Sequence, residues 1–225
     1  MMAIKIGHAS IDENGKATGG KVGDQTGKEV CIREWYSKPW NVYLECIDPE
    51  LADKAANIME CICADNNYGY DQSERLTGYN AIVANKGRIH GAKGEFDCSS
   101  LVATCYRLAG LNVSPSCTTR NLRVALLATG KFRAYTDKKY LTSDTYAKRG
   151  GIYLAEGSHV VMALEDGSED TGKAENIYIV KSGDTLSKIA KDLLGNANRY
   201  KEIMELNNLK TTVILVGQKL KIPVR

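Results

Sequence analysis

Apolar residues recur along the chain with two periods, and the switches between them outline the elements. Pro49 follows Asp48, a favoured first helical position after a favoured cap. Leu51, Ala55, Ile58 and Ile62 then fall on one face of a helix predicted near 49–65. A second amphipathic helix, near 99–109, presents Leu101, Val102, Cys105, Leu108 and Ala109 together, and Gly110 stops it. A third is expected near 119–129. Strand-like runs lie at the N-terminus (Ile4-Lys5-Ile6), around Val42 to Leu44, at Gly151-Ile152-Tyr153-Leu154 and, after the turn Glu156-Gly157, at Ser158 to Leu164. The pattern predicts an α+β domain over 1–168.

From Glu165 to Asn176 the chain is polar, contains glycine and has no period, which predicts a linker at 169–175. Regularity returns with the β-rich run Ile177-Tyr178-Ile179-Val180 and the turn Ser182-Gly183. Asp184 is the expected N-cap of a helix with Leu186, Ile189, Ala190 and Leu193 on one face, ended by Gly195. A second helix spans Arg199 to Leu206, followed by Asn207-Asn208. Gly217 to Pro223 alternates like a half-buried strand, with Pro223 ending it.

Strand–helix–helix–strand in about fifty residues is a small two-layer βααβ domain. The words YIVKSGDTLSKIAKDLLG, IMELNN and ILVGQKLKIP resemble the LysM family over 176–225. The resemblance implies binding of N-acetylglucosamine-containing glycans such as peptidoglycan or chitin. The family's sugar groove lies between the loop after the first strand and the loop before the second. Carried over, one wall is Gly183, Asp184, Thr185 and Leu186. The other runs from Asn208 to Ile214 and includes Leu209.

Hydrophobic residues make up 43% and charged residues 25%, a balance that argues against wholesale disorder. The net charge of +3 is too small to point to nucleic acid, and the basic residues are scattered, although the sign suits an anionic wall polymer. No run approaches the roughly 18 apolar residues of a membrane span. Met1 to His8 has too short an apolar run for a secretory signal, and Lys5 interrupts it. The expectation is synthesis in the cytoplasm without a signal peptide and action on the wall after release, as in phage or prophage lysis. Seven cysteines leave at least one unpaired. Cys61-Ile62-Cys63 is not a CxxC pair, and no metal or other cofactor is expected.

One cysteine stands apart. In Gly94-Glu95-Phe96-Asp97-Cys98-Ser99-Ser100, Cys98 opens the second helix, where free backbone N–H groups and the helix dipole favour a thiolate and can hold an oxyanion. The tetrapeptide DCSS resembles the nucleophile motif of the NlpC-type, papain-like peptidoglycan hydrolases. Asn67-Tyr68-Gly69-Tyr70-Asp71-Gln72 and Leu101-Val102-Ala103-Thr104-Cys105-Tyr106 resemble the strand before and the helix after that nucleophile in phage lysins. The resemblance implies a papain-like domain with an antiparallel sheet.

Among the three histidines, His159 opens a strand about sixty residues beyond Cys98, as the base does in that family. His90, in Arg88-Ile89-His90-Gly91, has no motif around it and reads as a loop residue. In the family a third group comes after the base hairpin in a His-Ala-Ser-like word. Here the chain leaves that hairpin for the linker, and Ile6-Gly7-His8-Ala9-Ser10 stands at the opposite end. Gly19 to Val30 resembles the segment just beyond the base hairpin in related phage lysins. The inference is a circular permutation that lays the N-terminal strand beside that of His159, with His8 as the orienting residue. An exposed His8 near a terminus is the competing reading.

The resemblance implies acyl transfer through a thioester, with Cys98, His159 and His8 as nucleophile, base and orienter. Tyr70, Asp97 and Ser99 are the candidates beside the substrate, Asp97 also reading as a turn or helix-start residue. Trp35 and Tyr36 read as core or cleft wall. The target bond is γ-D-glutamyl–diamino acid, with the N-acetylmuramoyl–L-alanine amide as the alternative. A non-enzymatic wall- or tail-associated binding protein is the rival reading. Gly150-Gly151, where relatives carry Gly-Asp, would loosen a turn.

Overall fold

The computed structural model describes residues 3–11, 15–22, 27–168, 176–207 and 209–222. The expected linker at 169–175, Asn208 and Pro223 lie outside the described residues. The chain divides into two compact units, Met1–Gly167 and Ser168–Arg225.

The first unit is built on six strands: β1 (Lys5–Ala9), β2 (Val30–Glu34), β3 (Val42–Cys46), β6 (Phe132–Tyr135), β7 (Ile152–Ala155) and β8 (His159–Ala163). They form one sheet in the order β2-β1-β8-β7-β3-β6, and the paired neighbours are antiparallel. Two short strands, β4 (Tyr68–Tyr70) and β5 (Gly94–Phe96), form a separate parallel pair, which the antiparallel expectation did not include. Helices α1 (Pro49–Cys63), α2 (Thr77–Ala84), α3 (Cys98–Leu108), α4 (Leu122–Ala128) and α5 (Lys138–Leu141) complete the unit.

Alternation along the strands sorts the side chains into two layers. Ala9, Val160 and Met162 join the larger core with Ala55, Met59 and Ile62 of α1 and Leu101, Val102 and Cys105 of α3. Ile6, Val161 and Ala163 join a second core with Trp40, Tyr43 and Tyr153. The α1 face is rotated from the expected one. Ala52, Ala55, Ala56, Met59, Ile62 and Cys63 are buried, while Leu51 and Ile58 pack at the margin. Gly7 lets α1 approach β1, because a Cβ there would lie 2.2 Å from Met59 Cγ.

The pairing of β1 with β8 joins distant parts of the chain. Ile6 stands opposite Ala163 and Gly7 opposite Met162, and Leu164 N donates to Lys5 O at 2.9 Å. Asp71 then ties down the segment after β1, accepting from Gly19 N (2.7 Å) and Gly20 N (3.1 Å) as well as Ser73 N and Glu74 N.

Gly150-Gly151 does not loosen its turn. A Cβ on Gly151 would lie 2.1 Å from the Tyr43 hydroxyl, which accepts from Lys148 N at 2.7 Å, and Tyr106 donates to Gly150 O at 2.5 Å. Bare backbone here makes room for Tyr43 at Gly151 and for Ala52 of α1 at Gly150, where a Cβ would lie 2.8 Å from the Ala52 carbonyl oxygen.

The second unit contains β9 (Asn176–Ile179), α6 (Leu186–Leu194), a 3-10 turn (Ala197–Arg199), α7 (Tyr200–Leu206) and β10 (Lys219–Ile222). β9 and β10 pair antiparallel around a core of Val180, Leu186, Ile189, Ala190, Leu194, Ile203, Leu220 and Ile222. Two expectations are corrected. Thr185 caps α6, accepting from Lys188 N, whereas Asp184 accepts from Tyr178 Oη (2.7 Å) and Lys181 N (2.8 Å). Leu194 takes the buried position expected of Leu193, which is exposed, because the helix face is set by Leu186, Ile189 and Ala190.

Gly151→Ala should destabilise the protein by about 1–3 kcal/mol, since the added methyl must displace the Tyr43 hydroxyl from a packed site. Urea unfolding of this variant checks the loss. A Gly151→Ala variant as stable as the wild type would contradict the steric account.

Candidate active site

The nucleophile candidate begins where β5 hands over to α3. Asp97 is extended and caps the helix. Its Oδ1 accepts from Ser100 N at 2.6 Å, and Ser100 Oγ accepts from Asp97 N at 2.9 Å, the reciprocal pattern of a capping box. Cys98 is the first helical residue and is 7% exposed. Backbone N–H groups of Val160, Ser99 and Cys98 itself face its sulfur. Val160 directly follows His159, so α3 is set against the strand that opens with the base candidate.

The expected thiolate is not the resting form. Burial pushes the Cys98 thiol up to about 12, Asp97 adds to the rise, and the N–H groups only partly oppose it. Loss of hydration outweighs the end of the helix dipole here.

Arg75 holds this corner together, and nothing in the sequence pattern marks it. Its Nε reaches Asp97 Oδ2 at 2.5 Å and its Nη2 reaches Asp97 Oδ1 at 3.2 Å, a two-pronged pairing. Nη2 also donates to Ser99 Oγ (3.1 Å) and to Cys117 O, while Nη1 donates to Ser116 O (3.0 Å). Arg75 sits in the polar run Ser73-Glu74-Arg75, where a cation is ordinary and only the fold reveals its partner.

His8 and His159 come together through the pairing of β1 and β8. Their ring centroids are 5.8 Å apart and nearly perpendicular. Tyr36 and Trp40 lie 6.5 and 6.1 Å from His159 in stacked orientation, and Tyr36 meets His8 edge-on at 6.1 Å. His8 is 4% exposed, and its Nδ1 has no hydrogen-bond partner. It is not the exposed terminal residue of the competing reading. Burial lowers His8 to about 3, aided by His159 and Arg33, and lowers His159 to about 4, aided by Lys38 and Arg33. Both imidazoles are therefore neutral at neutral pH. Together the groups form a buried thiol, a neutral base candidate and a second neutral imidazole against that base.

The remaining candidates divide. Tyr70 is buried, accepts from Gln72 Nε2 at 3.0 Å and feels the charge of a Cys98 thiolate, as does Tyr36. Asp97 and Ser99 are both hydrogen-bonded to Arg75 and to each other, with Ser99 Oγ donating to Asp97 Oδ1 at 2.9 Å, and so shape the helix start. Trp35 is half-buried against Tyr153. His90 is exposed and lies 3.4 Å from Asp65. In the second unit Gly183 and Thr185 are exposed, Leu186 is core, and Leu209 and Ile214 pack half-buried against that core. Among the described residues no group of three or more His, Cys, Asp or Glu side chains could hold a metal ion, and no helix is long and apolar enough to cross a membrane.

Comparison with known families matches the endolysin-like domain over residues 6–170, which contains the whole arrangement around Cys98, His159 and His8. The chain belongs to the endolysin-like domain family. A LysM domain lies beyond it at 178–223 and implies peptidoglycan binding. An uncharacterized protein of Deinococcus radiodurans is 42% identical over 74 residues, 32% of this chain and 28% of that protein. The potassium binding protein Kbp of Escherichia coli O6:H1 is 53% identical over 53 residues, 22% of this chain and 36% of that one. The chain thus spans about a third of the length of these curated relatives. No solved structure matches. The chain thus carries an endolysin-like domain followed by a LysM domain.

The electrostatics of the endolysin-like domain set two expected outcomes. Since His8 and His159 have folded values below the unfolded value of about 6.5, the unfolded chain takes up protons first. Stability should be full above pH 6.5 and fall as the pH drops towards 4 and 3. Urea midpoints against pH should show this slope, and His8→Gln should flatten it. Arg75→Met should cost about 2–4 kcal/mol by leaving the Asp97 carboxylate unpaired, and Asp97→Asn should recover part of that loss in the double variant.

Proposed function

We propose that the endolysin-like domain is a papain-like, NlpC-type cysteine hydrolase. It cuts an amide bond of the peptidoglycan stem peptide after release in phage or prophage lysis, and the LysM domain holds it to the glycan. The observation that supports this reading is that His8 and His159 meet through the pairing of β1 with β8, on the strand against which the helix of Cys98 is set. Cys98 starts a capped helix whose sulfur faces Val160 N–H, His159 precedes Val160, and the ring of His8 lies 5.8 Å from that of His159. The pairing of β1 with β8 is what a circular permutation of the family would require.

With thiol and imidazole both neutral at rest, His159 acts as a general base during attack and not as half of a standing ion pair. Cys98 Sγ bonds to the amide carbon as His159 takes the thiol proton. The tetrahedral oxyanion is held by the Cys98 N–H and a neighbouring donor. The carbon–nitrogen bond then breaks, and His159 returns the proton to the leaving amine. Water, deprotonated by His159, attacks the thioester, the carbon–sulfur bond breaks and the thiol regains its proton. His8 holds the orientation and tautomer of His159. The proposed target is the γ-D-glutamyl–diamino acid bond. The same groups would serve the N-acetylmuramoyl–L-alanine amide.

The burial of Cys98, only 7% exposed, favours a second reading in which the domain is inert and the protein binds the wall without cutting it. Purified peptidoglycan treated with wild type and with Cys98→Ala separates the two. The hydrolase reading predicts soluble fragments from the wild type alone, with new amino termini on the diamino acid. New termini on L-alanine would identify the amidase. Binding by both proteins without fragments from either would sink the hydrolase reading.

A further inference from the structure

The register of β1 and β2 sets Cys31 opposite His8 and Arg33 opposite Ile6, so Arg33 shares the face of the sheet that carries His8. Its guanidinium lies over the Tyr36 ring, 4.7 Å from the centroid, and Tyr36 is the ring that meets both His8 and His159. Lys38 comes two residues after Tyr36 and two before Trp40, the two rings stacked near His159. Arg33 is exposed and Lys38 half-buried. Glu34, next to Arg33 in the chain, pairs with Lys5 at 3.3 Å. Among the described residues neither Arg33 nor Lys38 forms an ion pair.

Two uncommitted cations beside a buried imidazole are unfavourable for a base that must become positive. Both oppose protonation of His159, and Arg33 opposes that of His8 as well. An anion bound between them would gain charge-assisted hydrogen bonds and would also relieve that field. We propose that Arg33 and Lys38 form an anion subsite that binds a carboxylate of the stem peptide next to the scissile amide. This rests on the hydrolase reading for the identity of the peptide. It adds that the substrate's own charge completes the site and eases the transfer of the Cys98 proton to His159. An amidated stem peptide lacks that charge and would bind less well and be cut more slowly.

The test uses the full chain carrying Cys98→Ala and a soluble, sugar-free peptide, L-alanyl-γ-D-glutamyl-diaminopimelyl-D-alanine, titrated by calorimetry. Two further peptides carry a carboxamide at the D-glutamyl α-position or at the diaminopimelyl side chain, so the arms distinguish the two sources of the carboxylate. One amidated form should bind about tenfold more weakly, the loss expected of one or two charge-assisted hydrogen bonds. Arg33→Gln/Lys38→Gln in the same background should bind all three alike at the weaker level, with an unchanged circular dichroism spectrum. Equal binding of the three peptides to the parent, binding of none, or a preference that survives the double substitution overturns the subsite. A preference for the carboxylate in a protein whose wild type releases no wall fragments would overturn the hydrolase reading and leave the subsite standing. Wall digestion without any preference would do the reverse.

Discussion

The arrangement around Cys98 depends on one long-range pairing, that of β1 with β8. β1 has β2 on its other edge and β8 continues the sheet through β7, so without this pairing the six-stranded sheet would divide in two. Its register sets His8 beside His159 and turns Gly7 towards Met59 of α1. Closing so long a loop costs entropy that grows slowly with its length. The closure is supported by buried Ile6, Val161 and Ala163 on one face and Ala9, Val160 and Met162 on the other. Chain ends of the domain are thereby joined in the sheet, as a rearranged chain order requires.

The second organising constraint is electrostatic. The site is dry enough that a thiol at a helix N-terminus stays protonated and two adjacent imidazoles stay neutral. In such surroundings any formal charge must be met at short range. Asp97 follows that rule, while exposed Arg33 and half-buried Lys38 keep access to solvent. Asp97, at the start of the nucleophile helix, is gripped by Arg75, whereas Arg33 and Lys38, across the aromatic rings, have no protein counter-charge among the described residues. The proposed chemistry uses this asymmetry, with charge created during attack and supplied in part by the substrate.

Much of this was legible in the sequence where local chemistry and long-range position agreed. Asp97-Cys98-Ser99-Ser100 signals a helix start whatever surrounds it, and His159 opens a strand bounded by clear turns. The LysM core followed from the helical spacing of Leu186, Ile189 and Ala190. The features that escaped were set by tertiary contact. Arg75 looks like any loop cation until Asp97 and Ser99 are placed beside it. β2 is an edge strand with Ile32, Arg33 and Glu34 exposed, so its alternation is weak, and β5 is only three residues long. α2 contains Gly78, a poor helix former, kept bare because a Cβ would strike the Phe96 ring. Gly150-Gly151 suggested slack, since Ala52 and Tyr43, the residues that need the space, lie far away in the chain.

The central claim is that His159 and Cys98 act as one unit, and competitive alkylation tests it most directly. Wild type and His159→Ala would be pulsed with iodoacetamide at neutral pH, and each cysteine followed by mass spectrometry. Exposed Cys61 serves as the internal reference, and buried Cys105 as the inert control. The account predicts that His159→Ala slows modification of Cys98 by about tenfold or more, the range for loss of a positioned base, and leaves Cys61 unchanged. Equal rates at Cys98 in the two proteins would contradict it.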